Sequence, residues 1–253
     1  MNTIKTTIRD KTAIIALDNG RSNAINADMV KELSTMVRDI EHDDNIGGLI
    51  ITGKDGFFSA GLDLIELYDY DEIKIRKFWI DFLALVSILT CFKKPLISAI
   101  SGHSPAGGCV IAICSDYRIM SEGKYLIGLN EVPVGIIVPD SIFHLYSFWL
   151  GQGQAYRFLL EGKLLIPQEA LEYHLVDQVV DPDTIISSAE RQMKKYLQLN
   201  RNAWQQSKLN LRKELIIKVN ADQSDSLDLM LEQWWSPSTR SILNTIITNL
   251  QTK

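Results

Sequence analysis

A single glutamate stands in an otherwise uncharged loop and is the side chain best suited to acid–base chemistry. The segment GLNEVPVGIIVP, residues 128–139, carries Glu131 among leucine, valine and proline. Burial among such neighbours raises the pKa of a carboxyl group and makes it a base that works near neutral pH. The alternative is a loop glutamate that points to water, and the composition of the segment does not decide between the two.

Two glycine-containing loops offer backbone N–H groups rather than reactive side chains. The segment FFSAGLDL, residues 57–64, and the segment SPAGGCVIA, residues 104–112, each follow a strand-like stretch. Gly107 and Gly108 permit close approach to the backbone, and a helix beginning there would direct free N–H groups at a ligand. The competing interpretations are an ordinary turn for the first loop and close helix–strand packing for the second. No GxGxxG pattern is present, which disfavours a dinucleotide site.

Composition limits the class of protein. The chain has 253 residues, 46% of them hydrophobic, and a net charge of -5 that disfavours a nucleic-acid partner. Three cysteines in apolar surroundings indicate core thiols in a reducing compartment, and no histidine pair completes a zinc site. The N-terminal residues lack the pattern of a signal peptide, and no apolar run is long enough for a membrane span. We therefore expect a cytoplasmic protein with no membrane span and no bound metal.

Strand and helix signals alternate along the first half of the chain. Apolar runs predict strands and 3.6-residue periodicity predicts helices, which together indicate βαβ units and a mostly parallel sheet. After residue 183 the pattern is helical almost to the end. Taken alone, the periodicity favours a doubly wound sheet with a helical C-terminal region. The predicted strands are 12–17, 48–52, 96–100 and 116–120, and the predicted helices are 27–41, 78–92 and 109–115.

The order of these motifs resembles that of the enoyl-CoA hydratase/isomerase (crotonase) superfamily. The chain carries FSAGLDL, then SPAGGC with CSDYRIM, and then GLNEVPVGIIVP. The resemblance runs from about residue 23 to residue 180. The resemblance implies an α/β fold of the crotonase-like (ClpP/crotonase) type. In that fold, a spiral of β-β-α units occupies residues 1–190 and a helical trimerisation region occupies residues 191–253. It also implies a homotrimer or a dimer of trimers. We therefore expect the spiral rather than the doubly wound sheet that the periodicity alone favours.

The resemblance also implies a site for acyl-CoA, the expected small-molecule partner. It places the thioester oxygen between the backbone N–H groups of Ala60 and Gly107, with Glu131 as the catalytic carboxyl group. Coenzyme A is then part of the substrate, and no separate cofactor is expected. The further residues implied to contact CoA or the acyl group are Ser22, Ala24, Ser59, Gly61, Leu62, Asp63, Leu64 and Gly108.

One departure from the hydratase pattern points to the reaction. Hydratases of the superfamily carry a second glutamate directly after the cysteine of SPAGGC, where this chain has Val110. Valine cannot activate water, whereas one base beside an oxyanion hole is enough to move a proton. The pattern therefore resembles the mitochondrial-type Δ3,Δ2-enoyl-CoA isomerases, which act in β-oxidation of unsaturated fatty acids, more closely than the hydratases. The alternatives are weak hydration, thioester hydrolysis, decarboxylation, or acyl-CoA binding without catalysis.

Other polar and aromatic residues near these motifs have simpler interpretations. We expect Asp63 to cap a helix rather than act as a base, and His103 to have no catalytic role. Asp116 and Arg118 resemble structural residues of the family core. Three aromatic residues either line an acyl pocket or belong to the core, namely Trp79, Phe82 and Phe143.

Overall fold

The computed structural model describes residues 2–252 and contains two groups of strands. The longer strands follow the apolar runs of the sequence, while β4 and β8 have only two residues each. The strands are β1 (Ile4–Arg9), β2 (Thr12–Leu17), β3 (Gly48–Thr52), β4 (Gly56–Phe57), β5 (Leu96–Ile100), β6 (Gly102–Pro105), β7 (Tyr117–Ser121), β8 (Ile127–Gly128) and β9 (Gln178–Val180).

Helices connect the strands and form the C-terminal part of the chain. Two 3-10 turns, Val132–Val134 and Pro182–Thr184, complete the described elements. The helices are α1 (Ala27–His42), α2 (Leu64–Tyr68), α3 (Glu72–Cys91), α4 (Gly107–Ile113), α5 (Asp140–Leu150), α6 (Gln152–Glu161), α7 (Pro167–Glu172), α8 (Ile185–Leu197), α9 (Arg201–Leu211), α10 (Lys213–Val219), α11 (Ser224–Trp235) and α12 (Pro237–Gln251).

The strands form a spiral rather than a single doubly wound sheet. One sheet has the order β1-β2-β3-β5-β7-β9, and a second, smaller sheet has the order β4-β6-β8. Each turn contributes one strand to each sheet, since β3 is followed by β4, β5 by β6, and β7 by β8. All strand pairs except β1–β2 are parallel. The crotonase-like fold is thereby confirmed, and the doubly wound sheet expected from periodicity is wrong.

Apolar burial explains why these elements form where they do. Strands β3 and β5 are buried along their whole length, as strands covered on both faces are in parallel sheets. Helix α1 begins after Asn26, whose side chain accepts a hydrogen bond from the Met29 N–H at 3.0 Å. Helix α3 buries Phe78, Trp79 and Phe82 in the main core. The two aromatic candidates of α3 therefore belong to the packed interior.

The predicted boundary between the spiral core and the helical C-terminal region lies within a helix. The predicted boundary between residues 190 and 191 falls inside α8, which contacts β3, β5 and β7. Its buried residues Ile185, Ala189 and Met193 form a second core cluster with the outer face of the sheet. The division at residue 190 stays a prediction. Across residues 2–252, we find no helix with the length and apolarity that crossing a membrane requires.

Candidate active site

Three loops meet at Gly107 and Gly108, the first two residues of α4. A methyl group added to Gly107 would stand 3.0 Å from Ile25 Cδ1 and 3.5 Å from the Leu62 nitrogen. A methyl group on Gly108 would stand 2.6 Å from the Ser59 carbonyl oxygen. Because larger residues would push the loops apart, the glycine pair lets segments 22–25 and 59–64 pack directly against the start of α4.

Asn23, which the sequence reading did not single out, joins segment 22–25 to segment 57–64. It is fully buried at a φ of +52°, a conformation that asparagine tolerates better than most residues. Its side-chain amide donates to the carbonyl oxygens of Phe57 at 3.3 Å and Phe58 at 3.1 Å. Ser59 Oγ donates in return to the Asn23 carbonyl oxygen at 2.7 Å. These bonds hold the two segments implied to contact CoA in one fixed arrangement.

The backbone N–H of Ala60 is already used within the protein. It donates to the Ser22 carbonyl oxygen at 2.9 Å, so the assignment of Ala60 as a donor to substrate requires correction. Leu62 instead forms an isolated parallel bridge with Ile25. The Gly61 carbonyl and the Asp63 N–H both face Ile25, at 2.8 and 2.9 Å. The Leu62 N–H between them has no acceptor among the described residues, and its nitrogen lies 3.5 Å from where a methyl group on Gly107 would stand.

The N–H of Gly107 is the second available donor. Gly107 is the first residue of α4, and no carbonyl group of the preceding turn accepts its N–H within the described chain. Ala106 before it has a φ of +48°, and its own N–H donates to the Gly128 carbonyl at 2.8 Å. Such a conformation is strained for alanine and is typical of functional sites. The strained turn orients the Gly107 N–H beside that of Leu62.

Glu131 is buried, as a base in an apolar loop should be. Glu131 is 7% exposed, and its Oε2 has no hydrogen-bond partner among residues 2–252. Burial raises the pKa of Glu131 from 4.5 to about 7. The Glu131 carbonyl accepts from the N–H groups of Val134 at 3.1 Å and Ile136 at 3.0 Å. This tight turn fixes the backbone from which the carboxyl group projects.

The neighbouring positions supply no second acid or base. Val110 is 1% exposed on α4, in the position where hydratases of the superfamily carry their other glutamate. Asp63 caps α2, because its side chain accepts from the Glu66 N–H at 3.1 Å. His103 accepts from the Leu126 N–H through Nδ1 at 3.2 Å and packs against Phe57. Asp63 is therefore the helix cap that the sequence indicates, while the expectation that His103 has no catalytic role stays a prediction.

Asp116 and Arg118 are structural, as expected. Asp116 accepts from Lys208 at 2.7 Å and pairs with Arg212 at 3.3 Å. Arg118 pairs with Asp177 at 2.7 Å, and its guanidinium group lies 3.5 Å from the centre of the Trp149 ring. The Asp116 bonds join the residue before β7 to the end of α9, and the Arg118 contacts join β7 to α5 and to the residue before β9. A surface cavity of about 570 Å³ adjoins Asp116 but includes neither glycine loop nor Glu131.

An apolar cavity begins one residue after Glu131. It has a volume of about 490 Å³ and lies between the 132–138 loop, α5 and α6. Phe143, the third aromatic candidate, lines it together with Leu159 and Ile136. Its polar lining residues are Asp140, Tyr156 and Gln233. Glu131 and the glycine loops are not among the lining residues, so the cavity borders the loop after Glu131 and offers an apolar lining of the kind that a hydrocarbon chain requires.

Comparison with known proteins decides the family. The family model described as enoyl-CoA hydratase/isomerase matches residues 7–240. The chain belongs to the enoyl-CoA hydratase/isomerase family. Enoyl-CoA delta isomerase 1, mitochondrial, from Mus musculus is 37% identical over 203 residues, covering 79% of this chain and 70% of the relative. The protein of the same name from Homo sapiens is 34% identical over 216 residues, covering 83% and 72%.

A solved structure of the family matches the whole chain. The crystal structure of human mitochondrial delta3-delta2-enoyl-CoA isomerase superposes with a TM-score of 0.95 at 28% identity. The match covers 99% of both chains, so the C-terminal helices are included. This agreement confirms that the resemblance extends beyond residue 180, into the region where the sequence motifs are weaker.

Proposed function

We propose that the protein is an isomerase that shifts the double bond of a 3-enoyl-CoA to give the 2-enoyl-CoA, in the β-oxidation of unsaturated fatty acids. The observation that carries the proposal is the buried carboxyl group of Glu131, together with a valine, Val110, in the position where hydratases of the superfamily carry a second glutamate. Hydration requires a second group to activate water, whereas isomerisation requires only that one proton be moved. The names of the most similar relatives point to the same reaction.

The proposed reaction is a proton transfer through one carboxyl group. Glu131 removes a proton from C2, and the electron pair of that C–H bond forms a dienolate that extends to the thioester oxygen. The same carboxyl group returns the proton at C4, which leaves the double bond between C2 and C3. No atom is added or lost, and no cofactor takes part beyond the coenzyme A of the substrate.

The free N–H groups of Leu62 and Gly107 support the stabilisation of that dienolate. In this proposal they replace the pair Ala60 and Gly107, since Ala60 donates to Ser22. Each donor aimed at a developing oxyanion contributes roughly 2.7–4 kcal/mol in other enzymes. The pKa of about 7 at Glu131 supports its role, because a base with such a pKa is ionised in part at neutral pH and still binds the proton well.

Substrate binding follows from the same loops. We propose that Ser22, Ala24 and the 59–64 segment contact CoA, and that Gly108 lets the backbone approach the thioester. The acyl tail enters the apolar cavity beside Phe143.

Assembly and compartment are predictions from the sequence. We propose a homotrimer or a dimer of trimers, which is supported by the exposed apolar side chains of Leu211 (82% exposed) and Ile217 (60% exposed) on the C-terminal helices. Sedimentation of the purified protein measures this state. The cytoplasmic assignment stays a prediction, since the relatives compared above are named mitochondrial, and imaging of the tagged full-length protein tests it.

The test of the reaction is product analysis with purified protein. A medium-chain 3-enoyl-CoA is incubated with the wild type, and conjugation is followed by absorbance and mass together. We expect a conjugated product of unchanged mass, and we expect Glu131→Gln to lose turnover while it still binds acyl-CoA. A mass gain of one water, loss of CoA, or loss of carbon dioxide would identify one of the rival reactions. Tight binding without turnover in the wild type would favour a non-catalytic acyl-CoA-binding protein.

A further inference from the structure

Tyr146 is a buried polar residue with no function in the account so far. It lies on α5 with no exposed surface, and its hydroxyl group has no hydrogen-bond partner among residues 2–252. Buried tyrosine hydroxyls usually have a partner, and phenylalanine would fill the same space without the cost of burying one. The hydroxyl group therefore requires an explanation in terms of what it faces.

The surroundings of Tyr146 lead back to Glu131. Helix α5 follows directly from the loop that carries Glu131, and it packs against α4, which carries Cys109. The charge on Glu131 acts on both Tyr146 and Cys109. Glu131 Oε2 also lacks a hydrogen-bond partner. Two buried polar atoms without protein partners thus belong to neighbouring elements, α5 and the loop that carries Glu131, and the charge of one side chain acts on the other.

The other charged groups near α5 act on different residues. Asp140 and Lys218 act on His144, on the side of the helix that meets α10. Arg118 acts on Cys109 from the β7 side. Burial raises the pKa values of the Cys109 thiol and the Tyr146 phenol, so both are neutral near pH 7. Glu131 is therefore the group of this region that ionises in the working range.

We propose that the Tyr146 hydroxyl donates a hydrogen bond to the Glu131 carboxylate through one bridging water, and that Tyr146 is a positioning residue for the proton transfer. A bridge is required because the two side chains are not in direct hydrogen-bond contact, and a water needs two or more polar partners in a buried position. The inference rests on the proposed function for its effect on turnover, but the hydrogen bond itself does not.

The consequence of the bond has a definite sign. A donor to the ionised form of a carboxyl group lowers the pKa of that group, so removing the donor raises it. Since the base must be ionised to accept the C2 proton, Tyr146→Phe moves the acid limb of the kcat profile to higher pH, by about one unit for a bond of ordinary strength to a charged group. At pH values below this limb, kcat of the variant is then about tenfold lower than that of the wild type, while KM and kcat at high pH change little.

The experiment compares Tyr146→Phe with Tyr117→Phe, a half-buried tyrosine of β7 outside the site. For both variants, kcat and KM are measured across pH together with Tm. We expect the acid limb to shift in Tyr146→Phe only. An unchanged limb, or a loss of turnover equal at every pH, would overturn the proposal and leave Tyr146 as packing.

A second measurement separates this proposal from the proposed function. The Glu131 carboxyl group is titrated by carbon NMR in protein labelled at glutamate, with Glu131→Gln used to assign its signal. A higher pKa of Glu131 in Tyr146→Phe would support the hydrogen bond even if the wild type were inactive on 3-enoyl-CoA. An identical titration in both proteins would refute it whatever the reaction is.

Discussion

Replacing Glu131 by glutamine should stabilise the protein at neutral and alkaline pH. The carboxyl group is buried and its Oε2 has no hydrogen-bond partner among residues 2–252. An ionised group in that position is unfavourable in the folded state, and burial raises its pKa from 4.5 to about 7. Glutamine has nearly the same shape as the protonated side chain but carries no charge at any pH. The variant therefore removes a cost of folding that the proposed base imposes.

The size and pH range of the effect follow from that pKa. The folded protein keeps the proton up to about pH 7, while the unfolded chain releases it near pH 4.5. Stability of the wild type thus falls as pH rises through this window, by about 3 kcal/mol in total. At pH 4.5 the two proteins should agree within about 0.5 kcal/mol. At pH 8 the variant should have a Tm about 6–12 °C higher for a chain of this size.

The assay is thermal and chemical unfolding of both proteins from pH 4.5 to pH 8. Glu122→Gln is the matched control, because its side chain is exposed and the same change there should leave the difference flat across pH. A Glu131→Gln variant as stable as the wild type at pH 8 would refute the reasoning. It would mean that the carboxylate is solvated well beyond the single water bridge proposed to Tyr146, and that its pKa is not raised.

Three glycine and alanine changes test the geometry of the loops. Gly107→Ala places a methyl group 3.0 Å from Ile25 Cδ1, beside the two free N–H groups, and should lower turnover about tenfold or more. The control is Gly153→Ala, which has open space around it and should leave turnover unchanged. Equal turnover in the two variants would contradict the placement of the N–H groups. Gly108→Ala meets the Ser59 carbonyl oxygen at 2.6 Å and should cost about 1–3 kcal/mol in denaturant unfolding, a loss that a tolerant loop would not show. Ala106→Gly should raise the free energy of unfolding by up to about 1 kcal/mol, because glycine adopts a φ of +48° without strain. A lower Tm in this variant would show that the turn is not strained.

Much of the fold follows from local sequence. Strands β2, β3 and β5 match their predicted bounds, because each is a continuous apolar run buried in the sheet. The second sheet could not be predicted from periodicity. Strands β4 and β8 have two residues each, too few to show an alternation, and they exist because the spiral brings them alongside β6. Only the family resemblance indicated them in advance.

The site was predictable in its residue types but not in its fine geometry. The apolar neighbours of Glu131 in sequence correctly suggested burial. Which N–H group of segment 59–64 is free depends on the bridge between Ile25 and Leu62, a contact across 37 positions that spacing does not reveal. Tyr146 lies in an apolar helical stripe, and its relation to Glu131 arises only from the packing of α5 on α4. Tertiary contacts, rather than local propensity, determine both features.

The most direct test of the central claim follows the proton itself. A 3-enoyl-CoA carrying deuterium at both C2 positions is converted in ordinary water, and the product is analysed by mass and by NMR at C2 and C4. If Glu131 alone moves the proton, deuterium removed from C2 appears at C4 in a measurable fraction of turnovers, and Glu131→Gln forms no product. If C4 always receives hydrogen from solvent and Glu131→Gln retains turnover, a different group performs the transfer and the single-carboxyl account is wrong.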